Sequence, residues 1–198
     1  MQPIFILAST SAIRKSLLEG AGLHLTVLPA RIDEDTILAA LQADGATPRD
    51  IADTLAEMKA RKIADKHPNA RVLGCDQVLA LGDALLMKPK SPTHAAEQLY
   101  QMQGRSHDLF SAVVLYENAK PIWRHIGRAR LTMHPMTDAE IQTYVTQNWH
   151  SIQHAVGCYK IEDGGVALFS AIKGDVSTIQ GLPMPPLLDY LRLRGFIS

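Results

Sequence analysis

Apolar residues recur along the chain in short runs and at helical spacing, and both patterns predict secondary structure. Runs bounded by turn residues predict strands at residues 3–8, 25–28, 71–74, 78–81, 84–87, 109–116, 123–133 and 166–169. Helical spacing predicts a helix that Ser11 caps and that runs to Gly20, and further helices over 48–66, 92–103, 138–148 and 186–194. The acidic run 33–35 is interpreted as a solvated loop. This mixture, with an antiparallel middle section, favours a mixed α/β or α+β fold over either pure class.

Several helix starts carry a specific local signal. Pro48 occupies the first helical position after the cap Thr47, where the missing N–H costs nothing. Thr137 and Glu140 have the spacing of a capping box. Ser11 has the side chain to cap the first helix. These signals indicate where three of the helices start.

Length and composition narrow the class of protein. The 198 residues, 46% hydrophobic and 20% charged, suit one globular domain spanning 1–198, with room for two lobes. Twenty basic residues balance twenty acidic ones, which disfavours a broad nucleic-acid-binding surface. Cys75 and Cys158 give neither a disulfide framework nor a zinc site, and we expect both to be buried in a reducing compartment.

The chain has no signal of membrane insertion or export. No apolar run approaches the roughly 20 residues needed to span a bilayer. The N-terminal segment 1–7 lacks the basic region and the long apolar stretch of a signal peptide. We therefore expect a cytoplasmic protein with neither a membrane nor a nucleic-acid partner.

The turn after the first strand is the first candidate site. A strand that leads into a helix N-terminus presents free N–H groups and a positive dipole end to an anion. Ser9 and Ser11 add hydroxyl donors, and Arg14 and Lys15 add charge in the first turn, where cations oppose the helix dipole. The alternative is a capped surface helix with incidental basic residues.

Asp76 is the second candidate. It follows the apolar residues 71–74, and an acidic residue at a strand end is a common metal ligand or catalytic base. A turn-capping aspartate is the alternative, and for one isolated residue the better supported one. If one of Asp33, Glu34 or Asp35 folded against Asp76, the two would form an oxygen-rich site for Mg²⁺ or Mn²⁺.

Two lysines are spaced among these acids. Lys59 lies in a predicted helix and Lys88 precedes a proline. Isolated lysines are usually solvated, but a triphosphate needs several separate positive groups. The histidines have no metal-binding spacing, and His107 and His154 are interpreted as structural or surface residues.

The order of these segments resembles the Maf family of nucleotide pyrophosphatases over nearly the whole chain. The matching segments are 7–15, 32–34, 56–60, 74–78, 88–89, 104–107, 157–162, 174–175 and 179–183. The resemblance implies a Maf-like, ITPase-like fold, with a central mixed sheet flanked by helices and two lobes with a cleft. It also implies a hydrolase acting on acid anhydrides, which splits a nucleoside triphosphate into a monophosphate and pyrophosphate. A homodimer is a family-level expectation.

The resemblance assigns roles to the candidate residues. The phosphate-binding residues would be Ser9, Arg14, Lys15, Lys59 and Lys88. Lys15 stands where the family has a second arginine, so it keeps the charge without the planar fork.

A divalent cation, Mg²⁺ or Mn²⁺, would be held partly by Glu34 and Asp76. Asp76 would also position or deprotonate the attacking water. Whether it acts as base, as metal ligand or as both is left open.

Base selection would fall to Ile13, Gln77, Lys160 and Glu162. A glutamine at 77 with the later Lys-x-Glu segment resembles the branch of the family that acts on 7-methyl-GTP. Methylation at N7 makes guanine cationic, which a carboxylate such as Glu162 complements. The alternatives are a dTTP/UTP or broad-specificity pyrophosphatase and, in another class, a nucleotide-binding regulator of septum formation.

Overall fold

The computed structural model describes residues 4–197, and Pro3 of the predicted first strand lies outside the described residues, as do Met1 and Gln2. The strands are β1 (Phe5–Leu7), β2 (Leu25–Val27), β3 (Arg71–Leu81), β4 (Ala84–Leu86), β5 (Ser106–Glu117), β6 (Lys120–Met133) and β7 (Phe169–Lys173). The α-helices are α1 (Ala12–Gly20), α2 (Glu34–Ala43), α3 (Pro48–Ala64), α4 (Pro92–Met102), α5 (Asp138–Ile152), α6 (Val176–Ile179) and α7 (Met184–Leu193). The predicted mixed α/β class is confirmed.

The strands form one mixed sheet in the order β2-β1-β3-β5-β6-β7, with β4 paired to β3. Strand β1 is parallel to both β2 and β3, so Leu7 lies opposite Val27 and Leu73. The pairs β3–β4 and β6–β7 are antiparallel. Asn118 and Ala119 connect β5 to β6 with φ of 52° and 57°, the left-handed conformation of a two-residue hairpin turn.

The capping signals in the sequence are confirmed. The side chain of Ser11 accepts a hydrogen bond from the Arg14 N–H at the start of α1, and Thr47 caps α3 ahead of Pro48. Both halves of the capping box formed by Thr137 and Glu140 are present at the start of α5. Local hydrogen bonding therefore sets these helix starts, as the sequence predicts.

The interpretation of residues 33–35 as a loop is wrong. Asp33 caps helix α2, with its side chain accepting a hydrogen bond from the Thr36 N–H, and Glu34 and Asp35 form the first turn. Acidic side chains are favoured there because the N-terminal end of a helix carries partial positive charge. Glu34 is therefore held by a helix rather than by a loop.

Two strand predictions also need correction. Residues 71–74 and 78–81 belong to one continuous strand, β3, so Asp76 lies inside a strand and not at its end. The strand predicted at 166–169 is a 3₁₀ turn, Gly165–Leu168, followed by β7. In both places a glycine or polar residue was taken as a strand boundary, although strand pairing decides where a strand ends.

The described chain divides into two compact units. Unit 1 contains the residues up to Gln77, then Phe110–Gly127 and the residues from Val176 onward. Unit 2 contains Val78–Leu109 and Arg128–Asp175. Unit 1 is built on the buried side chains Phe5, Leu7, Leu18, Leu73, Val113, Leu115, Leu182 and Leu187. In unit 2, helices α4 and α5 pack together and bury Ala95, Leu99, Met102, Ile141 and Val145.

Candidate active site

A buried cluster of one ammonium and two carboxylates lies in unit 1. The Lys59 Nζ is 2.5 Å from the Asp76 Oδ1 and 2.8 Å from the Glu34 Oε1. Lys59 and Asp76 are only 8% and 7% exposed, whereas Glu34 is partly exposed. The structure thus brings together three residues that the sequence analysis proposed for phosphate and metal binding.

A glycine allows helix α3 to approach strand β3 at this cluster. A Cβ on Gly74 would lie 2.7 Å from the Ala60 Cβ and 2.6 Å from the Ala60 N, closer than real Cβ atoms come. Small residues on both elements therefore let Lys59 reach Asp76. Glu34 lies beside Lys59 and Asp76 as the first residue of α2, which Asp33 caps.

Asp76 is an unusually basic carboxylate. Burial raises its pKa above the ordinary value of 3.8, and the charges of Lys59 and Arg14 only partly oppose this. Its neighbour Cys75 is fully buried, and burial raises the pKa of the thiol to about 11. Near neutral pH the thiol is therefore protonated, and Asp76 is the better candidate for activating water.

The two carboxylates fit a divalent cation with few protein ligands. Among residues 4–197 no group of three or more His, Cys, Asp or Glu side chains could hold a metal ion. Glu34 and Asp76 nevertheless lie near one another, because each contacts the Lys59 ammonium. Mg²⁺ in phosphate-handling sites is commonly held by one or two carboxylates, completed by substrate phosphates and water. The donor set fits that pattern.

Arg14 joins three parts of unit 1. Its Nε donates to the Gly181 carbonyl at 2.8 Å, and its Nη1 donates to the Cys75 carbonyl at 3.0 Å and to the Ser9 Oγ at 3.4 Å. Gly181 has a φ of +94°, and a Cβ there would lie 3.0 Å from the Arg14 Nη2. Arg14 thus holds the turn before α1 against β3 and the loop after α6.

The other two residues proposed on α1 are less engaged. Lys15 is exposed and forms an ion pair of 3.6 Å with Glu19, where both side chains are about half exposed. Such a surface pair contributes little, so it leaves Lys15 available to a ligand. Ile13 is half-buried.

Gln77 has its amide nitrogen committed to the protein. The Nε2 donates to the Ser111 Oγ at 3.0 Å, to the Thr178 carbonyl at 3.2 Å and to the Ile179 carbonyl at 2.9 Å. Two backbone carbonyls require a donor, so this orientation of the amide is fixed by its partners. The Oε1 therefore points away from them, and Gln77 presents an acceptor rather than both functions of an amide.

The remaining predicted residues belong to unit 2. Lys88 is exposed just after β4. Lys160 is half-buried, and its carbonyl accepts hydrogen bonds from the Asp163 and Gly165 N–H groups. Glu162 is exposed in the 3₁₀ turn Ile161–Asp163.

Sequence reasoning missed a buried polar residue of unit 2. Gln98 is 2% exposed on the apolar face of α4 that also carries Ala95, Leu99 and Met102. A glutamine within a helix's apolar stripe was the available signal, because buried amides need partners. His107 is buried against Tyr159, as a structural histidine, and His154 is exposed.

The site of unit 1 combines a guanidinium, a buried ammonium, a basic carboxylate and a second carboxylate. Positive groups of this kind stabilise phosphoryl oxygens, and a basic carboxylate can activate water. These are the chemical requirements of a hydrolase for phosphate anhydrides. Along the described chain, no helix has the length and apolarity to cross a bilayer.

Comparison with known proteins agrees with this class. The Maf-like protein family matches residues 4–194, and the chain belongs to that family. The nucleoside triphosphate pyrophosphatase of Ruegeria pomeroyi is 56% identical over 193 residues, which cover 98% of this chain and 97% of that protein. The 7-methyl-GTP pyrophosphatase of Rhizobium meliloti is 43% identical over the full length of both.

A solved structure is also similar. It is a nucleoside-triphosphatase, or dITP/XTP pyrophosphatase, from Mycobacterium abscessus, with a TM-score of 0.45 and 16% identity. The alignment covers 97% of this chain and 94% of that one.

Proposed function

We propose that this protein is a nucleoside triphosphate pyrophosphatase that hydrolyses the bond between the α- and β-phosphates. Water adds to the α-phosphorus, and the bond from that phosphorus to the bridging oxygen breaks. The products are pyrophosphate and a nucleoside monophosphate. The observation that carries the proposal is the buried contact of Lys59 with both Asp76 and Glu34. Membership of the Maf-like family and the name of the Ruegeria pomeroyi relative support the same reaction.

Each residue of the unit 1 site has a chemical role in this proposal. Asp76, made basic by burial, orients the attacking water and accepts its proton. Lys59 and Arg14 offset the negative charge of the phosphates in the transition state. A divalent cation held by Glu34 and Asp76 would polarise the phosphorus when bound. A carboxylate that binds a metal tightly is a poor base, so we assign the larger share of metal binding to Glu34.

Outside the cluster, Lys15 and Lys88 are exposed lysines that supply further positive charge to the phosphates. Ser9 supports the turn before α1, because its Oγ accepts hydrogen bonds from both Arg14 and the Ser11 N–H. In this proposal Ser9 both holds the turn and donates its hydroxyl to a phosphate, and the two lysines act by charge.

The preferred substrate in this proposal is 7-methyl-GTP. The Watson–Crick edge of guanine carries two adjacent donor groups, and the acceptor that Gln77 presents suits such an edge. The positive charge that methylation adds to the ring suits the exposed carboxylate of Glu162. The name of the Rhizobium meliloti relative points to the same nucleotide.

A broader specificity is the second candidate. The relative with the higher identity, from Ruegeria pomeroyi, has the general name of nucleoside triphosphate pyrophosphatase. A uracil or thymine ring offers one donor between two carbonyl oxygens, so it could use the Gln77 acceptor less fully. The two candidates therefore differ in how strongly the enzyme prefers 7-methyl-GTP over UTP.

Glu162→Gln tests the substrate proposal. We expect the ratio of kcat/KM for 7-methyl-GTP to that for UTP to fall by about two- to fivefold, because glutamine removes the charge of an exposed carboxylate, and exposed charge contacts contribute up to about 1 kcal/mol. Glu97→Gln, which neutralises another exposed carboxylate of unit 2, is the matched control and should leave the ratio unchanged. An equal ratio in wild type and Glu162→Gln would remove Glu162 from base selection. A wild type without preference for 7-methyl-GTP would favour the broad enzyme.

A further inference from the structure

The buried side chain of Gln98 joins two segments of unit 2 that contain proposed substrate-binding residues. Its Nε2 donates to the Met87 carbonyl at 2.9 Å, next to Lys88 in the chain. Its Oε1 accepts a hydrogen bond from the Cys158 Sγ at 3.2 Å, two residues before Lys160. One amide from helix α4 therefore contacts both segments through buried hydrogen bonds.

The segment at Cys158 has an unusual backbone. Gly157 has a φ of 77° and Cys158 a φ of 59°, and the left-handed region is unfavourable for a residue with a side chain. Such a conformation persists only where the surroundings hold it. Two neighbouring side chains hold this segment. The Cys158 thiol donates to Gln98, and the Tyr159 hydroxyl lies 2.7 Å from the His107 Nε2.

The thiol is suited to this hydrogen bond. Cys158 is fully buried, and burial raises its pKa to about 12, so it keeps its proton near neutral pH and donates. An apolar side chain in its place would leave the Gln98 Oε1 without this donor. Serine would retain a hydroxyl donor of similar size.

The segment at Lys88 is held from the same face of α4. The Lys90 N–H donates to the His94 Nδ1 at 3.3 Å, one helical turn before Gln98. Together the two side chains contact the backbone on both sides of Lys88. The exposed Lys88 side chain thus extends from a segment whose backbone is fixed.

We infer that Gln98 is a positioning residue, which holds the Lys88 segment and the segment leading to Lys160 and Glu162 in one fixed arrangement. This inference rests on the proposed function, because it assigns those residues to the phosphates and the base. Gln98 itself is buried and does not need to contact substrate. One hydrogen bond of Gln98 holds the Lys88 segment and the other holds the segment before Lys160, so both bonds are needed to fix the two segments relative to each other.

Three variants separate the two hydrogen bonds. Gln98→Leu removes both, together with the contact of the Gln98 Nε2 with the His94 Nε2 at 3.2 Å. Cys158→Ala removes only the bond to the Lys160 segment, and Cys158→Ser keeps a donor. Leu99→Val, which trims a fully buried side chain on the same helix without removing a hydrogen bond, is the control for general destabilisation. Steady-state kinetics on a panel of nucleotides gives KM for each and the ratio of kcat/KM between the best and the poorest.

For Gln98→Leu we expect a rise in KM for every triphosphate and a change in the ratio, each by at least about threefold, since a displacement of about 1 Å can cost a hundredfold. Cys158→Ala should change the ratio and leave the KM of the poorest nucleotide near wild type. Cys158→Ser should restore the ratio. Leu99→Val should lower Tm without changing KM or the ratio of kcat/KM. A Gln98→Leu enzyme with wild-type KM values and ratio would overturn the inference.

Hydrogen exchange of the free protein distinguishes this inference from the proposed function. Gln98→Leu should speed amide exchange in both segments, 87–90 and 157–160, and Cys158→Ala only in the second. Faster exchange without any pyrophosphate release by the wild type would contradict the proposed function and leave the structural role intact. Unchanged exchange in an active Gln98→Leu enzyme would contradict the positioning role alone.

Discussion

Asp76 is a buried carboxylate that the proposed reaction uses in its charged form, although burial disfavours that form. It is 7% exposed, and burial raises its pKa even though Lys59 lies 2.5 Å away. The folded protein thus disfavours the charged carboxylate that the proposed reaction needs. A residue chosen for stability alone would be uncharged.

This property predicts how Asp76→Asn affects stability. A carboxyl whose pKa is raised by folding stabilises the fold while protonated, below its ordinary pKa of 3.8, and that stabilisation is lost as pH rises through the folded pKa. At about pH 7 we therefore expect a free energy of unfolding for Asp76→Asn equal to or above that of wild type. The difference should shrink toward about pH 4. Urea unfolding across this pH range measures it, and a large loss of stability at neutral pH would mean that the Lys59 pair outweighs burial.

Arg14 and Lys88 share a proposed role but differ in their surroundings. Arg14→Ala would leave the Cys75 and Gly181 carbonyls without their donor, so we expect a loss of about 1–3 kcal/mol in unfolding free energy along with a higher KM. Lys88 is exposed, and Lys88→Ala should change stability by less than about 0.5 kcal/mol. For both variants KM should rise similarly for every triphosphate. Loss of one nucleotide with retention of the others would contradict a phosphate-reading role.

At the scale of elements, the close approach of α3 to β3 positions the cluster of Lys59, Asp76 and Glu34. The approach depends on Gly74 facing Ala56 and Ala60. Helix α2 then adds Glu34 from its first turn, which the Asp33 cap fixes. The geometry of the cluster is therefore a property of three elements and not of a single loop.

Gly74→Ala tests this arrangement. The added methyl group would overlap the Ala60 backbone nitrogen and side chain, so we expect a loss of about 1–3 kcal/mol in stability from overpacking. Lys59 and Asp76 would separate, and kcat should fall more than KM rises. Gly20→Ala is the control, because its Cβ would meet nothing within 4 Å and alanine favours a helix. Full activity in Gly74→Ala would show that the cluster does not need this contact.

At the scale of the whole molecule, the features that could be predicted from the sequence are those formed between residues close together in the chain. The caps at Ser11, Thr47 and Thr137 each bond to a group three residues away, so their patterns are visible in the sequence. Strand β3 was split because Gly74 and Asp76 read as a boundary, whereas its pairing with β1 and β4 holds it together. Long-range pairing overrides local propensity here.

The site was predictable in its residue types and not in its contacts. Lys59 and Asp76 are separated by 17 positions, and the sequence gives no reason for one to bind the other. The Gln77 amide nitrogen donates to carbonyls 101 and 102 positions away, a pairing that no local pattern in the sequence indicates. The hydrogen bond from Arg14 to the Gly181 carbonyl also joins residues far apart in the sequence. Family resemblance proposed the residues, and the structure shows how their side chains are held.

The central claim is that Asp76 activates water for pyrophosphate release from a nucleoside triphosphate. The direct measurement is the amount of monophosphate and pyrophosphate formed with Mg²⁺ by wild type, Asp76→Asn and the control Asp189→Asn, an exposed carboxylate on α7. Wild type and control should form the two products in equal amounts. Folded Asp76→Asn, checked by circular dichroism, should be slower by roughly 10²–10⁴-fold, the usual contribution of a general base. Near-normal release of pyrophosphate by Asp76→Asn, or formation of orthophosphate and a diphosphate by the wild type, would contradict the claim.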